Sequence, residues 1–274
     1  MNYYIHNINP TIFSFNIPSI IPILPDYLEI RWYGLAYLLG FIFSFLILKK
    51  WSKSESLHIV ESEISNFIML IAILGVFLGG RLGYILFYDF DSFIQNKWLL
   101  FQIWEGGMSS HGGFIGVIAT IFWYAKKNSI SFWNISDHLA ATVSLGIGFG
   151  RIANFINGEL WGRITDVPWA VIFPQSNTLL PRHPSQLYQS LCEGFLIFFI
   201  ILIIRKKAWG KVPGNISGLY LILYSIARFS IEVFREPDST IYFEWLTKGQ
   251  LYSIFMILIG IIILLQRKYF LSKL

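Results

Sequence analysis

The apolar run LAATVSLGIGF (Leu139–Phe149) leads directly into the polar stretch GRIANFINGELWG (Gly150–Gly162). This second stretch holds an arginine, two asparagines and a glutamate, namely Arg151, Asn154, Asn157 and Glu159. Charged and amide groups at the edge of an apolar segment are costly to bury and indicate a function. The alternative is a helix end that meets lipid headgroups, but such anchors use Lys, Arg, Trp and Tyr. We expect a helix that breaks near Gly158, with its polar groups facing one common space.

The composition of the whole chain is that of an integral membrane protein. Of its 274 residues, 55% are hydrophobic and only 14% are charged, whereas soluble domains carry about 25% charged residues. A helix of about 20 apolar residues crosses the hydrocarbon core of a bilayer. We predict an all-α membrane protein, a single domain over 1–274. Its seven expected spans lie at roughly 33–48, 64–88, 112–125, 135–150, 184–204, 215–234 and 250–266.

The basic residues predict how the chain is oriented. Twelve Lys and Arg residues lie in the loops on one side of the predicted spans, and seven lie in longer loops on the other side. The positive-inside rule therefore places the N-terminus outside and the C-terminus in the cytoplasm. The net charge of +5 is a topology signal and requires no nucleic-acid partner. We expect 1–31 to form an external arm and 151–183 an extracytoplasmic head with a strand near 167–174.

Cysteine and histidine give no indication of a metal site. The single cysteine, Cys192, excludes an internal disulfide and a cysteine-rich metal site. The five histidines are scattered, without the spacing of metal ligands. We expect no metal and no cofactor.

Two further polar residues stand at unusual places in predicted spans. Arg81, in LGGRLGYILF, lies inside the second span, where an arginine normally faces a partner or a wet cavity. The alternative is that Arg81 reaches the outer interface. His111, in HGGFIG, opens the third span, and an imidazole there exchanges protons near neutral pH. A helix cap is the alternative reading of His111.

Three charges lie within eight residues at the end of the sixth predicted span. Arg228 and Glu232 are four residues apart, which predicts an ion pair on one helical face, and Arg235 follows one turn later. A purely structural salt bridge is the alternative. The motif RWYG, which contains Tyr33, opens the first span, and RHPSQLY opens the fifth. An ordinary aromatic belt would also account for Tyr33.

An outward-facing pocket that is rich in arginine suits an anion. Guanidinium groups match the geometry of phosphate, and the abundant anion at that depth of a membrane is a lipid phosphate. Two other classes of protein are the alternatives to one that acts on such a lipid. One is a transporter or channel for an anionic solute, and the other is a membrane scaffold without chemistry.

The stretch GRIANFINGELWG closely resembles the signature of bacterial prolipoprotein diacylglyceryl transferases. RWYG, GGRLGY, HGG, HPSQLY and the Arg228/Glu232 pair before REPD resemble further motifs of that family, in the same order, from about residue 31 to 238. The resemblance implies seven transmembrane helices with a small periplasmic head. It also implies a multi-pass protein of the bacterial inner membrane whose active site faces the outer leaflet.

The resemblance implies a reaction as well. Members move the diacylglyceryl group of phosphatidylglycerol to the lipobox cysteine of a prolipoprotein signal peptide. A thioether forms and glycerol phosphate leaves. The implied partners are therefore phosphatidylglycerol, the prolipoprotein and membrane lipids.

Residue roles follow by position. Four residues match the signature and four match the other motifs: Arg151, Asn154, Glu159 and Gly162, and Tyr33, His111, Arg228 and Glu232. We expect the substrate-binding set to be Arg151, Asn154, Glu159, Gly162, Arg81 and Arg235. We expect the catalytic set to be His111, Arg151, Arg228, Glu232 and Tyr33.

The expected chemistry gives these groups distinct tasks. Arg151 and Arg228, with Arg81 behind them, would stabilise charge on the leaving phosphate. Glu232 and Glu159 would orient the arginines, and the Asn154 amide would position the headgroup. The attacking sulfur must be a thiolate. His111 is the candidate general base, although an arginine-assisted thiolate fits the sequence equally well.

Overall fold

The computed structural model of the chain describes residues 2–16, 27–54, 56–102, 106–237, 241–242 and 246–271. Residues 17–26 of the predicted N-terminal arm lie outside these ranges. Most of the described chain is helical. The helices are α1 (Trp32–Lys53), α2 (Ile64–Leu70), α3 (Gly79–Tyr88), α4 (Phe90–Gln95), α5 (Ser110–Lys127), α6 (Phe132–Ile156), α7 (Ser185–Gln189), α8 (Leu196–Ile204), α9 (Asn215–Ile231) and α10 (Lys248–Leu271).

Two π-helical segments connect consecutive helices. Ile71–Leu78 joins α2 to α3, and Ser190–Phe195 joins α7 to α8. The strands are short: β1 (Tyr4–Ile5), β2 (Thr11–Asn16), β3 (Tyr27–Arg31), β4 (Val171–Ile172), β5 (Pro181–Arg182), β6 (Ile241–Tyr242) and β7 (Leu246–Thr247).

Among the described residues, five helices are long and apolar enough to cross a membrane. They are Trp32–Lys53, Glu61–Tyr88, Phe132–Ile156, Ser185–Ile204 and Lys248–Lys268. Each coincides with a predicted span. The two other predicted spans, 112–125 and 215–234, fall on α5 and α9. A mostly helical fold with five candidate membrane spans and small sheets is therefore confirmed, while the number of crossings and their direction stay predictions.

The chain divides into two compact units. The first comprises Met1–Phe43 and Asp137–Leu274, and the second comprises Ser44–Ser136. In the second unit, glycines bring α3 and the π-helical segment before it close to α5. A Cβ on Gly79 would lie 2.8 Å from the Gly116 Cα, and a Cβ on Gly83 would lie 3.1 Å from the Gly112 nitrogen. Small residues at four-residue spacing allow such a close helix crossing within a membrane.

Small residues also bring together the helices of the first unit. A Cβ on Gly194 would lie 2.7 Å from the Gly148 nitrogen, so the π-helical segment crosses α6 closely. Ser190 strengthens this crossing because its hydroxyl donates to the Gly148 carbonyl at 2.8 Å. Between α9 and α10, a Cβ on Gly260 would lie 2.8 Å from the Gly218 carbonyl oxygen. These crossings position the three helices that carry the candidate site.

The first unit contains a three-stranded sheet, of which β4 and β5 follow α6 in the chain. β1 pairs with β4 in parallel and β4 pairs with β5 antiparallel. β4 lies within the strand that the sequence predicts at 167–174. The N-terminal segment is fixed by the buried His6, whose Nε2 lies 3.0 Å from the Ile156 carbonyl and whose ring contacts Phe155 and Phe173. β2 and β3 form a separate antiparallel pair just before α1.

Candidate active site

A cluster of arginines and glutamates joins three helical segments of the first unit. Arg151 on α6 donates from Nε and Nη2 to Glu193 Oε2 at 3.3 and 3.2 Å. Arg228 Nη1 on α9 lies 3.7 Å from Glu193 Oε1 and 2.9 Å from Glu232 Oε2. Glu193, on the π-helical segment, therefore bridges two arginines from different helices.

The cluster is largely buried and carries net positive charge. The Glu193 side chain is 0% exposed and that of Glu232 is 4% exposed. Arg235 Nη1 lies 3.9 Å from Glu232 Oε2 and adds a third guanidinium group. Buried charges require partners, and here three arginines share two carboxylates. One positive charge remains, so the cluster is suited to an anion.

The Arg228–Glu232 pair has the geometry that its spacing predicts. The two residues form the expected i,i+4 ion pair at the end of α9. The Thr247 hydroxyl donates to Glu232 Oε1 at 3.0 Å. Gly249 at the start of α10 lies close beside the pair, because a Cβ there would lie 3.1 Å from both Arg228 Nη2 and Glu232 Oε1. The beginning of α10 thus fixes this ion pair in place.

Glu159 has different partners from those that the sequence predicts. Its Oε1 accepts hydrogen bonds from Asn154 Nδ2 at 2.7 Å and from Asn157 Nδ2 at 3.2 Å. The reason is the turn at Gly158, whose φ of +65° ends the helix and folds Glu159 back, so that its N–H donates to the Asn154 carbonyl at 3.1 Å. The expectation that Glu159 orients the arginines stays a prediction, since the hydrogen bonds described for its side chain go to the two asparagines. Glu193 and Glu232 contact the arginines.

Gly162 lies at a close crossing of backbones. Its N–H donates to the His183 carbonyl at 2.9 Å, and it forms an isolated antiparallel bridge with Arg235. A Cβ on Gly162 would lie 2.5 Å from the Phe234 carbonyl oxygen, a distance that no side chain tolerates. The signature stretch is thereby joined to the segment that follows Glu232. A contact of Gly162 with substrate stays a prediction.

His183, on the other side of this crossing, lies before the fifth predicted span begins. Its Nδ1 lies 3.2 Å from the Tyr188 hydroxyl, and its ring contacts Phe234 edge to face. Partial burial lowers the pKa of His183 below its usual value, because burial disfavours the charged imidazolium. The lowered pKa favours the neutral imidazole of His183 over the charged form.

Arg81 is bound by backbone carbonyls in the second unit. Its Nε donates to the Leu99 carbonyl at 3.0 Å, its Nη1 to Gly107 at 2.9 Å and its Nη2 to Gln102 at 3.0 Å. Further short contacts join Nη1 to the Gly106 carbonyl and Nη2 to that of Leu99. The residue is 2% exposed. Arg81 thus holds together the backbone at Leu99 and Gln102 and at Gly106 and Gly107.

The two remaining predicted site residues lie at helix starts. His111 is the second residue of α5, is exposed, and belongs to the second unit. Ser109 caps that helix by accepting from the Gly112 N–H at 3.2 Å. Tyr33 lies in the first turn of α1, in the first unit, where it interacts electrostatically with Arg151.

Sequence reasoning missed Glu193 and Tyr224. Glu193 is the only charged residue between 184 and 204, and an ionisable residue inside a span is a functional candidate. The sequence alone could therefore have identified Glu193. A second sign, the π-helical segment around Glu193, is visible only in the structure. Tyr224 lies beside Arg151, and no sequence signal distinguishes it from the other aromatic residues of the spans.

These features define a class: a helical membrane protein with a buried, positively charged cluster of arginines held by carboxylates. A family model described as "Prolipoprotein diacylglyceryl transferase" matches residues 18–266. The chain belongs to this family. The family predicted from the signature stretch is therefore confirmed, and the transporter and scaffold alternatives are excluded.

Curated relatives cover nearly the whole chain. It is 47% identical over 256 residues to the phosphatidylglycerol–prolipoprotein diacylglyceryl transferase of Pasteurella multocida, covering 92% of this chain and 93% of the relative. Proteins of the same name from Photobacterium profundum and Aeromonas hydrophila are 44% identical over 252 residues and 46% identical over 237 residues. Those matches cover 90% and 85% of this chain, and 93% and 84% of the respective relatives.

Proposed function

We propose that this chain transfers the diacylglyceryl group of phosphatidylglycerol to the lipobox cysteine of prolipoproteins, the first step of bacterial lipoprotein maturation. The names of the relatives give the donor and the acceptor. The observation that carries the proposal is the buried cluster in which Glu193 bridges Arg151 and Arg228. Its net positive charge, within apolar helices, matches the phosphate of a lipid headgroup.

The reaction is a displacement at carbon. The cysteine sulfur attacks the glycerol carbon that carries the phosphate, and a C–S bond replaces the C–O bond. The bonding electron pair stays on the phosphate oxygen, so the products are a thioether and glycerol phosphate, and the thiol proton goes to a base. Charge that grows on the departing phosphate is stabilised by donors aimed at it. Arg151 and Arg228 are the proposed donors.

Arg228 is especially suited to this role. Its Nη1 lies close to two carboxylates but has no well-aligned hydrogen bond among the described residues. The carboxylates hold the guanidinium group by charge, and its N–H directions remain available for a phosphate oxygen. Arg235, on the far side of Glu232, extends the positive region.

The other predicted residues take supporting roles in the proposal. Asn154, Glu159 and Gly162 shape the signature stretch that contacts the donor lipid. Tyr33 assists the chemistry from its position near Arg151. Arg81 contributes by holding the backbone around it, because its guanidinium donors already have backbone partners.

The proton acceptor has two candidates, His111 and a thiolate stabilised by arginine. Replacing His111 with Asn distinguishes them. If His111 takes the proton, the rate falls and the acidic limb of the pH–rate profile disappears in His111→Asn. Persisting activity with an unchanged profile would assign His111 another role.

The proposed topology has seven crossings, with the N-terminus outside, the C-terminus in the cytoplasm and the site facing the outer leaflet of the inner membrane. Residues 1–274 form one membrane domain in this proposal, with 1–31 and 151–183 outside. Cys192→Ser provides a cysteine-free background. In intact spheroplasts, an impermeant maleimide should label Arg163→Cys and spare Lys206→Cys. Labelling of Lys206→Cys alone would reverse the orientation.

The function is tested with purified protein, phosphatidylglycerol vesicles and a lipobox peptide. The peptide should gain the mass of one diacylglyceryl group on its cysteine, with equimolar release of glycerol phosphate. A peptide with serine in place of cysteine is the matched control and should stay unmodified. Folded protein that yields neither product contradicts the proposal.

A further inference from the structure

Gln189 is a buried amide that the proposed reaction does not yet use. Its side chain lies at the end of α7 and the residue is 0% exposed. Neither Oε1 nor Nε2 has a hydrogen-bond partner among the described residues. Burying an amide without partners is costly, so such a group in a native structure requires an explanation.

Gln189 stands between two parts of the candidate site. Gln186 is one turn earlier, and its Nε2 donates to the Glu159 carbonyl at 2.6 Å. Glu193 is one turn later and accepts from Arg151. Residues at this spacing share one helical face. Gln189 therefore lies on the face that joins the signature stretch to the arginine cluster.

We infer that Gln189 selects the donor lipid by hydrogen-bonding a hydroxyl of its headgroup. The inference rests on the proposed function, because it needs the phosphate of the donor to lie at Arg151 and Arg228. A hydroxyl both donates and accepts, and an amide offers one acceptor and two donor hydrogens. Headgroup glycerol therefore matches both unpartnered atoms of Gln189.

Other headgroups fit this environment less well. An ammonium headgroup has no acceptor for Nε2 and is repelled by the net positive cluster nearby. A headgroup with a plain alkyl chain leaves both amide atoms unpaired. Sites that hydrogen-bond a substrate hydroxyl reject analogues that lack it, since the buried partner is then unsatisfied. The structure thus assigns to Gln189 a preference for donors with hydroxylated headgroups.

Gln186 provides a matched control. It has the same side chain, lies on the same helical face and is equally buried, and only its Oε1 lacks a partner among the described residues, because its Nε2 donates to the Glu159 carbonyl. Replacement by Met keeps the size of either side chain and removes its amide. Gln186→Met therefore loses a hydrogen bond within the protein, whereas Gln189→Met loses none among the described residues.

The test compares phosphatidylglycerol with phosphatidylpropanol, the same lipid without headgroup hydroxyls, in transfer to a lipobox peptide. The purified full chain should prefer phosphatidylglycerol in kcat/KM. In Gln189→Met this preference should shrink by roughly 10- to 100-fold, chiefly through slower use of phosphatidylglycerol. In Gln186→Met both donors should slow together, so the preference should stay.

Each other outcome overturns the inference. These are a wild-type chain without preference, an unchanged preference in Gln189→Met, and an equal loss of preference in both variants. The melting temperature of Gln189→Met should be no lower than that of wild type, because the amide makes no hydrogen bond with the described residues that could be lost. Gln189→Asn, whose shorter amide withdraws from the headgroup, serves if Gln189→Met does not fold. Wild-type protein that modifies no peptide with either donor contradicts the proposed function itself.

Discussion

The two units each contain an arginine site, and the partners of the guanidinium groups differ. Arg81 is surrounded by backbone carbonyls. Arg151 is instead held by the carboxylate of Glu193, and Arg228 lies beside the carboxylates of Glu193 and of Glu232 one turn away. Carbonyl partners satisfy the hydrogen-bond donors of a guanidinium group but do not neutralise its charge. Carboxylates neutralise charge, and a phosphate can replace them as the acceptor. The difference separates an arginine that builds structure from arginines suited to bind a substrate.

The largest effect is expected at Glu193, whose carboxylate contacts both Arg151 and Arg228. Glu193→Ala leaves two arginines without their shared carboxylate and should cost about 3–5 kcal/mol of stability. Denaturation in detergent measures this loss. Glu193→Gln keeps the shape and some hydrogen bonding and should lose less. Equal stability of Glu193→Ala and wild type would show that the bridge contributes nothing.

Arg228 should show the next largest effect, on the rate. Arg228→Ala removes a donor to the leaving phosphate and should lower the transfer rate by about 10²- to 10³-fold while the protein stays folded. Mass analysis of the lipobox peptide measures the rate, and the melting temperature monitors folding. Arg228→Lys should recover little, since an ammonium lacks the planar fork. Normal turnover in Arg228→Ala would remove Arg228 from the mechanism.

Replacing Arg81 should lower the stability of the protein more than its transfer rate. Arg81→Met leaves several buried carbonyls unsatisfied and should lower stability by about 1–3 kcal/mol. Limited proteolysis should then cut near Gln102 or Gly107, whose carbonyls lose their partner. The rate per folded molecule should fall by less than in Arg228→Ala. The comparison fails if folded Arg81→Met loses transfer as completely as Arg228→Ala.

The smallest effect is expected at Gly249, which tests how finely the ion pair is positioned. In Gly249→Ala the new methyl group would lie 3.1 Å from Arg228 Nη2 and Glu232 Oε1, so the pair must shift by a few tenths of an ångström. The rate should fall by a few-fold, roughly, with little change in melting temperature. Gly146→Ala, where nothing lies within 4 Å of the added Cβ, is the control and should keep the rate.

Local spacing made much of this molecule predictable. Apolar length predicted the spanning helices, and the four-residue spacing of Arg228 and Glu232 predicted their ion pair. The family followed from one stretch of thirteen residues. In these cases the information lies within a few turns of chain.

Contacts between distant segments were not predictable. The Arg151–Glu193 contact joins residues 42 positions apart, and pattern alone does not pair them. The partners of Arg81 are carbonyls, which every residue possesses and no sequence distinguishes. Glu159 was assigned to the arginines because the fold-back produced by the positive φ of Gly158 appears only in the backbone.

The pairing of β1 with β4 has a consequence for biosynthesis. Tyr4 aligns with Val171, so β1 can pair with β4 only after α1 to α6 have been synthesised. Contacts across such long intervals form late. The sheet that contains β1 is therefore completed only after α6 has been synthesised.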